Sequence, residues 1–171
     1  LRNKGTLDKY IGDAIMAFWG APNYFDNHAE LACISALECK KFLDRSKEEC
    51  LKNGQPFFET RFGLHTKKVI VGNMEHDKRM NYTIIGDAVN LASRLESINK
   101  YYGTHIIISE NTREFIKSKL LTRPIDIVSV KGKKKGVAIF ELVEYRDQAD
   151  TKLLQKITQF EQAFDLYLNR K

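Results

Sequence analysis

Asn81-Tyr82-Thr83-Ile84-Ile85-Gly86-Asp87-Ala88-Val89-Asn90-Leu91-Ala92-Ser93-Arg94 changes its hydrophobic period within a few residues. A β-branched and aromatic run ends at Gly86, and from Ala88 the apolar positions Ala88, Leu91, Ala92, Leu95 and Ile98 recur at helical spacing. The stretch reads as strand, tight turn, helix. Asn90 and Arg94 lie four residues apart, so they project from neighbouring points on one side of that helix, off its apolar stripe. An amide and a guanidinium aimed together can bind a substrate oxygen and an anionic phosphate at once, and a fixed guanidinium is worth most where negative charge develops. The same spacing also describes a solvated helix face with Asp87 as its N-cap.

The tetrapeptide Ile-Gly-Asp-Ala of this stretch occurs again at Ile11-Gly12-Asp13-Ala14, between the apolar runs Leu7 to Ile11 and Ala14 to Trp19. A Gly-Asp dipeptide between two such runs predicts a hairpin closed by a two-residue II′ turn. Asp13 then sits at the tip, either as a solvated turn residue or as an oxygen ligand offered to a hard cation such as Mg²⁺. Lys9 precedes it by four.

The run Gly5-Thr6-Leu7-Asp8-Lys9-Tyr10-Ile11-Gly12-Asp13-Ala14-Ile15-Met16-Ala17-Phe18-Trp19-Gly20 is followed by Val71-Gly72-Asn73, the Tyr82 to Arg94 segment and Val130-Lys131-Gly132-Lys133. Together these closely resemble the class III adenylyl/guanylyl cyclase catalytic domain, in its bacterial-type, Thr-containing subgroup, over residues 5 to about 145. The resemblance implies conversion of ATP or GTP to the cyclic 3′,5′-monophosphate and pyrophosphate, at sites shared between two head-to-tail catalytic domains. It implies two metal ions, Mg²⁺ or Mn²⁺, one lowering the pKa of the 3′-hydroxyl and the other clamping the leaving phosphates.

Residue by residue, Asp13 matches the family's second metal-binding aspartate. Lys9 matches the purine-reading position that is lysine for adenine and glutamate for guanine, and Thr83, seven before Asn90, matches the second purine-reading position. Asn90 and Arg94 match the pair that stabilises the transition state, Asn90 orienting the ribose and Arg94 contacting the α-phosphate. Lys131 matches the lysine that neutralises the terminal phosphates. An ammonium from Lys9 and a hydroxyl from Thr83 can satisfy adenine's ring nitrogen and exocyclic amine, whereas guanine presents the opposite pattern. The implied enzyme is an adenylate cyclase with ATP as substrate; the alternatives are a guanylyl cyclase or a non-catalytic cyclase-homology module for dimerisation or nucleotide binding.

The family's first metal-binding aspartate sits in a strand of the type Phe-x-Asp-Ile-x-Gly-Phe, and nothing in Leu1 to Thr6 resembles it. The expectation is therefore a catalytic domain, residues 1–145, that lacks its N-terminal strand and helices and is inactive alone. Asp126, in the alternating run Ile125-Asp126-Ile127-Val128, is a possible replacement carboxylate without the motif's context.

The implied fold is α+β and ferredoxin-like, with a mixed, mainly antiparallel sheet and helices on one face. A coarse pass agrees. The hairpin leads past Gly20, Pro22 and Asp26 into a long helical pattern from His28 to Leu51, stopped by Asn53-Gly54. Strands are expected over 57–65, 68–71 and around Tyr82, with a charged loop, Glu75 to Arg79, in a protruding arm. After the Asn90 helix come a strand at 104–109, a helix at 110–119 and a final hairpin pairing 125–130 with 138–143. From Lys152, the residues Leu153, Ile157, Phe160, Phe164 and Leu168 recur at helical spacing, so 146–171 reads as a helical extension or as a helix packing back on the domain.

The chain has 171 residues, of which 43% are hydrophobic, enough for one ordinary domain. No apolar run approaches the roughly 18 residues of a membrane span, and none reads as a signal peptide. Cys33, Cys39 and Cys50 lack Cys-x-x-Cys spacing and read as reduced cytoplasmic thiols; His28, His65, His76 and His105 lack ligand spacing. The net charge of +6 draws on Lys131, Lys133, Lys134 and Lys135, together with Lys67, Lys68, Lys78 and Arg79. Nucleic acid is not the expected partner, because no base-stacking signature accompanies these residues, and a basic rim around a polyanionic nucleotide explains them.

Overall fold

The computed structural model describes residues 2–76, 79–129 and 136–169. Strands β1 (Thr6–Ile11) and β2 (Ala14–Phe18) form the expected hairpin, with Ile11 pairing Ala14 across a two-residue turn. Of the two turn residues only Gly12 takes a positive φ, +62°, as a II′ turn requires. The ladder slips once: Leu7 pairs Ala17 and Lys9 pairs Met16, so Asp8 is an extra residue on β1, in a β-bulge.

Helix α1 (His28–Lys52) ends where Asn53-Gly54 predicted. Strand β3 is confined to Phe62–Leu64 because its ladder partner, β6 (Ile106–Ser109), is only four residues long, and Phe58 stays exposed outside it. Strands β4 (Ile70–His76) and β5 (Arg79–Ile85) pair from Ile70 with Ile85 out to His76 with Arg79, so most of the expected charged loop belongs to the arm's ladder. Helix α2 (Asp87–Tyr102) follows β5 through Gly86, which is itself the N-cap; Asp87 is the first helical residue, where its charge suits the helix dipole.

After β6 come α3 (Glu110–Ile116), β7 (Leu120–Val128) and β8 (Val137–Tyr145). The main sheet runs β3-β6-β8-β7, with β3 and β6 parallel and the other pairs antiparallel. This is the α+β, mainly antiparallel architecture read from the sequence. Its helices divide between the faces of β6. Ile106 and Ile108 pack with Cys33, Ala36 and Leu37 of α1 and Ile116 of α3, whereas Ile107 packs with Leu91 and Leu95 of α2. Side chains alternate along a strand, so three consecutive isoleucines need cover on both sides.

Two features place α2. A Cβ added at Gly63 would lie 2.2 Å from the Ala92 carbonyl oxygen and the Glu96 amide nitrogen, so only glycine lets the helix lie this close to β3. Asn99, fully buried, donates through Nδ2 to the carbonyls of Phe62, Leu95 and Glu96, each at 3.0 Å, and accepts from Thr104 Oγ1 at 2.9 Å.

Helix α4 (Thr151–Leu168) begins at Asp150, whose Oδ1 accepts from the Leu153 amide at 2.6 Å. It packs back on the domain. Ile157 is buried, the Arg123 guanidinium of β7 lies over the Phe160 ring at 4.9 Å, and Arg113 pairs with Glu161 at 3.8 Å. Among the described residues no helix is long and apolar enough to cross a membrane.

Candidate functional site

The β1–β2 hairpin docks on the β4–β5 arm, with the rings of Phe18 and Tyr82 6.0 Å apart. At this crossing one carboxylate gathers two of the expected site residues. Thr83, buried on β5, donates from Oγ1 to Asp8 Oδ2 at 2.6 Å, and the Ile84 amide donates to the same oxygen at 3.4 Å. The other oxygen, Asp8 Oδ1, lies 3.4 Å from Lys9 Nζ. The Asp8 side chain is only 1% exposed, against 43% for that of Lys9. In a regular strand adjacent residues face opposite sides; the bulge at Asp8 relaxes that alternation, so a carboxylate and an ammonium from consecutive positions can meet.

The remaining residues are placed by their elements. Asp13 stands exposed at the hairpin tip, and Asn90 and Arg94 stand exposed one turn apart on α2, off the buried stripe of Ala88, Leu91 and Leu95. None of the three has a side-chain hydrogen bond or ion pair within the described structure, so their polar atoms are available to a ligand. No described contact joins them to Lys9 and Thr83. Lys131, with Lys133 to Lys135, lies outside the described residues.

Asp126 is engaged elsewhere. It accepts from the Tyr102 hydroxyl at 2.5 Å and from the Ile127 amide at 2.7 Å, tying the end of α2 to β7. That hydrogen bond first, then burial and the Asp126 charge, push the Tyr102 hydroxyl up to about 12. Burial first, then the Glu30 charge, push the Cys33 thiol up to about 12, which leaves it a packing residue and not a nucleophile. His65 Nδ1 lies 2.7 Å from Ser109 Oγ. Among the described residues no three His, Cys, Asp or Glu side chains converge as a metal-binding group.

The Asp13 carboxylate is a hard oxygen donor at the tip of a two-residue turn, with no partner among the described residues, and so fits one ligand position of Mg²⁺ or Mn²⁺. The residue that sequence reasoning passed over is Asp8. Its signal was an aspartate inside a strand, where that residue type is depleted, next to a lysine already assigned to the site.

Residues 4–144 match the family described as the adenylate and guanylate cyclase catalytic domain. Adenylate cyclase 1 of Rhizobium meliloti (strain 1021) is 38% identical over 139 residues, which make up 81% of this chain and 21% of that protein. The chain thus spans about a fifth of that relative's length. Two crystal structures superpose with a TM-score of 0.75. The adenylyl cyclase CyaB from P. aeruginosa is 33% identical, with 87% of this chain and 76% of that one covered. The guanylyl cyclase Cya2 is 29% identical, with 87% and 75% covered.

Proposed function

This chain belongs to the adenylate and guanylate cyclase catalytic domain family, and on that premise we propose that it converts ATP to 3′,5′-cyclic AMP and pyrophosphate. The observation that carries the choice of adenine is the Lys9–Asp8–Thr83 cluster, a fixed donor beside a fixed hydroxyl. Adenine's N1 accepts and its exocyclic amine donates, which suits an ammonium and a hydroxyl oxygen side by side; guanine reverses both groups.

In the reaction the ribose 3′-hydroxyl gives up its proton to solvent as O3′ forms a bond to the α-phosphorus, while the bond from that phosphorus to the oxygen bridging to the β-phosphate breaks and pyrophosphate leaves. Little covalent chemistry falls to the protein, so positioning and charge neutralisation carry the rate. Asn90 holds the ribose, and Arg94, one turn along α2, meets charge developing on the α-phosphate. Lys131 neutralises the terminal phosphates. Asp13 would help to hold Mg²⁺ or Mn²⁺, and a bound ion supplies positive charge to the phosphates and acidifies the attacking hydroxyl.

The site is completed in a head-to-tail homodimer. The hairpin and arm leave Tyr10, Ile11, Ile15, Ile70 and Ile85 exposed, a concentration of large apolar side chains that a second catalytic domain would cover. A cytoplasmic setting belongs to the same proposal, since ATP and three free cysteines both fit a reducing compartment.

The test is initial rates of cyclic nucleotide formation by the full-length protein, with ATP and GTP side by side in Mg²⁺ and in Mn²⁺. Preferential formation of cyclic AMP is expected. Equal use of the two nucleotides would remove the adenylyl assignment, and no product from either would favour a nucleotide-binding or dimerisation module.

A further inference from the structure

We infer that Asp8 is the positioning residue that makes Thr83 read adenine, by committing the Thr83 hydroxyl proton to its carboxylate and leaving that hydroxyl an acceptor only. The inference rests on the purine-reading roles proposed for Lys9 and Thr83. A threonine hydroxyl is ambivalent: it has one proton to give and two lone pairs to receive with. Left free to rotate, it would donate to guanine's exocyclic oxygen as readily as it accepts from adenine's exocyclic amine. In this structure it is not free. Its hydroxyl donates to Asp8 Oδ2 at 2.6 Å, so the one proton of Thr83 is engaged by the carboxylate and its lone pairs are what it has left to offer a base.

The remaining geometry serves the same end. The second carboxylate oxygen, 3.4 Å from Lys9 Nζ, restrains the ammonium that supplies the donor half of the pattern. The Ile84 amide, 3.4 Å from Oδ2, helps to fix the carboxylate from the β5 backbone. The Asp8 side chain is 1% exposed and Thr83 is itself buried, so little water reaches the hydrogen bond between them. The strand ladder itself makes no use of Asp8, since Leu7 and Lys9 take the successive partners Ala17 and Met16 without it. A residue that the ladder skips, placed between two purine-reading side chains, is accounted for by what it holds.

The experiment is the ratio of kcat/KM for ATP to kcat/KM for GTP, measured on one preparation of the full-length protein, so that any inactive fraction cancels. In Asp8→Asn the amide can donate to Thr83 and release its proton toward the base. The ratio is expected to fall by about tenfold or more, a loss of the size a hydrogen-bond mismatch in a polar site imposes. Asp8→Thr, which replaces the carboxylate with a hydroxyl, should lower the ratio in the same direction. In a Thr83→Val background, Asp8→Asn should lower the ratio by clearly less than it does beside Thr83, because only the contact of Asp8 with Lys9 then remains to be lost; an equal drop in both backgrounds overturns the inference. A merely structural Asp8 would lower both activities together and keep the ratio, which overturns the inference; so would complete loss of turnover in both Asp8 variants. Absence of ATP preference in the unmodified protein would instead remove the underlying adenylyl reading.

Discussion

Asn99 Nδ2 donates to the Phe62 carbonyl oxygen across 3.0 Å, so the last turn of α2 is hydrogen-bonded to the start of β3. Asn99 is fully buried, and the same amide also serves two helix carbonyls while its oxygen receives Thr104. Asn99→Ala strands several of these partners in a buried site, where each unmet group costs about 1–3 kcal/mol. We expect a loss of about 2–3 kcal/mol and a fall in Tm of roughly 5–10 °C, measured by thermal unfolding. A shift within a degree of the unmodified protein would show that water replaces the amide.

Arg94→Ala in the full-length protein should lower kcat by a factor of about 10² to 10³ while KM for ATP changes little, because a contact made with developing charge helps mainly in the transition state. Steady-state kinetics with ATP decide it. Were Arg94 only a solvated helix residue, both constants would remain near their original values.

Lys9→Glu removes the donor of the purine pattern and places a second carboxylate beside Asp8, 3.4 Å from the present ammonium. Like charges in a partly buried site repel, so cyclic AMP formation should fall by at least tenfold, roughly the effect of 1.4 kcal/mol. Gain of guanylyl activity should be smaller, because Thr83 remains matched to adenine. Parallel assays with ATP and GTP measure both, and unchanged ATP turnover would take Lys9 out of the site.

The thiols should divide by environment. Cys33, fully buried with its thiol pushed up to about 12, has almost no thiolate at pH 8, whereas Cys39 is exposed and its thiol is raised less, by partial burial first and then by Glu38. Titration of the folded protein with a chromogenic disulfide at pH 8 should leave Cys33 unmodified until denaturant is added. Because folding both covers the sulfur and disfavours its thiolate, denaturant should raise the labelling rate of Cys33 far more than that of Cys39. Prompt labelling of Cys33 at neutral pH would mean that α1 opens readily from the sheet.

Much of this fold was legible because its signals are local. A long apolar period with an Asn-Gly stop announced α1, and the Gly12-Asp13 and Gly86-Asp87 pairs announced the two turns that carry the candidate residues. The rest depends on partners remote in sequence. β3 is short because β6, more than forty residues away, is short. Asn99 looks from the sequence like one more polar residue of an amphipathic helix, and its burial follows from where β3 and Thr104 come to lie. The bulge at Asp8 is a single inserted residue whose purpose appears only beside Thr83, 75 positions later. The helices were expected on one face, and the two-sided cover of β6 was written in Ile106-Ile107-Ile108, a run without alternation.

That two-sided cover has a consequence for the additivity of mutations. Leu37 and Leu95 never touch the same pool of side chains, yet the pool around each is bounded by β6, a partition one strand thick. A void opened beneath Leu37→Ala can be partly relieved if the partition bows toward it, and the same movement loosens the packing around Leu95. Sites on independent cores should sum to within about 0.3–0.5 kcal/mol, whereas sites coupled through a shared backbone shift depart from the sum by more. A double-mutant cycle on these two leucines should therefore fail to close, which would make β6 a hydraulic link between the interior behind α1 and the helix that carries Asn90 and Arg94.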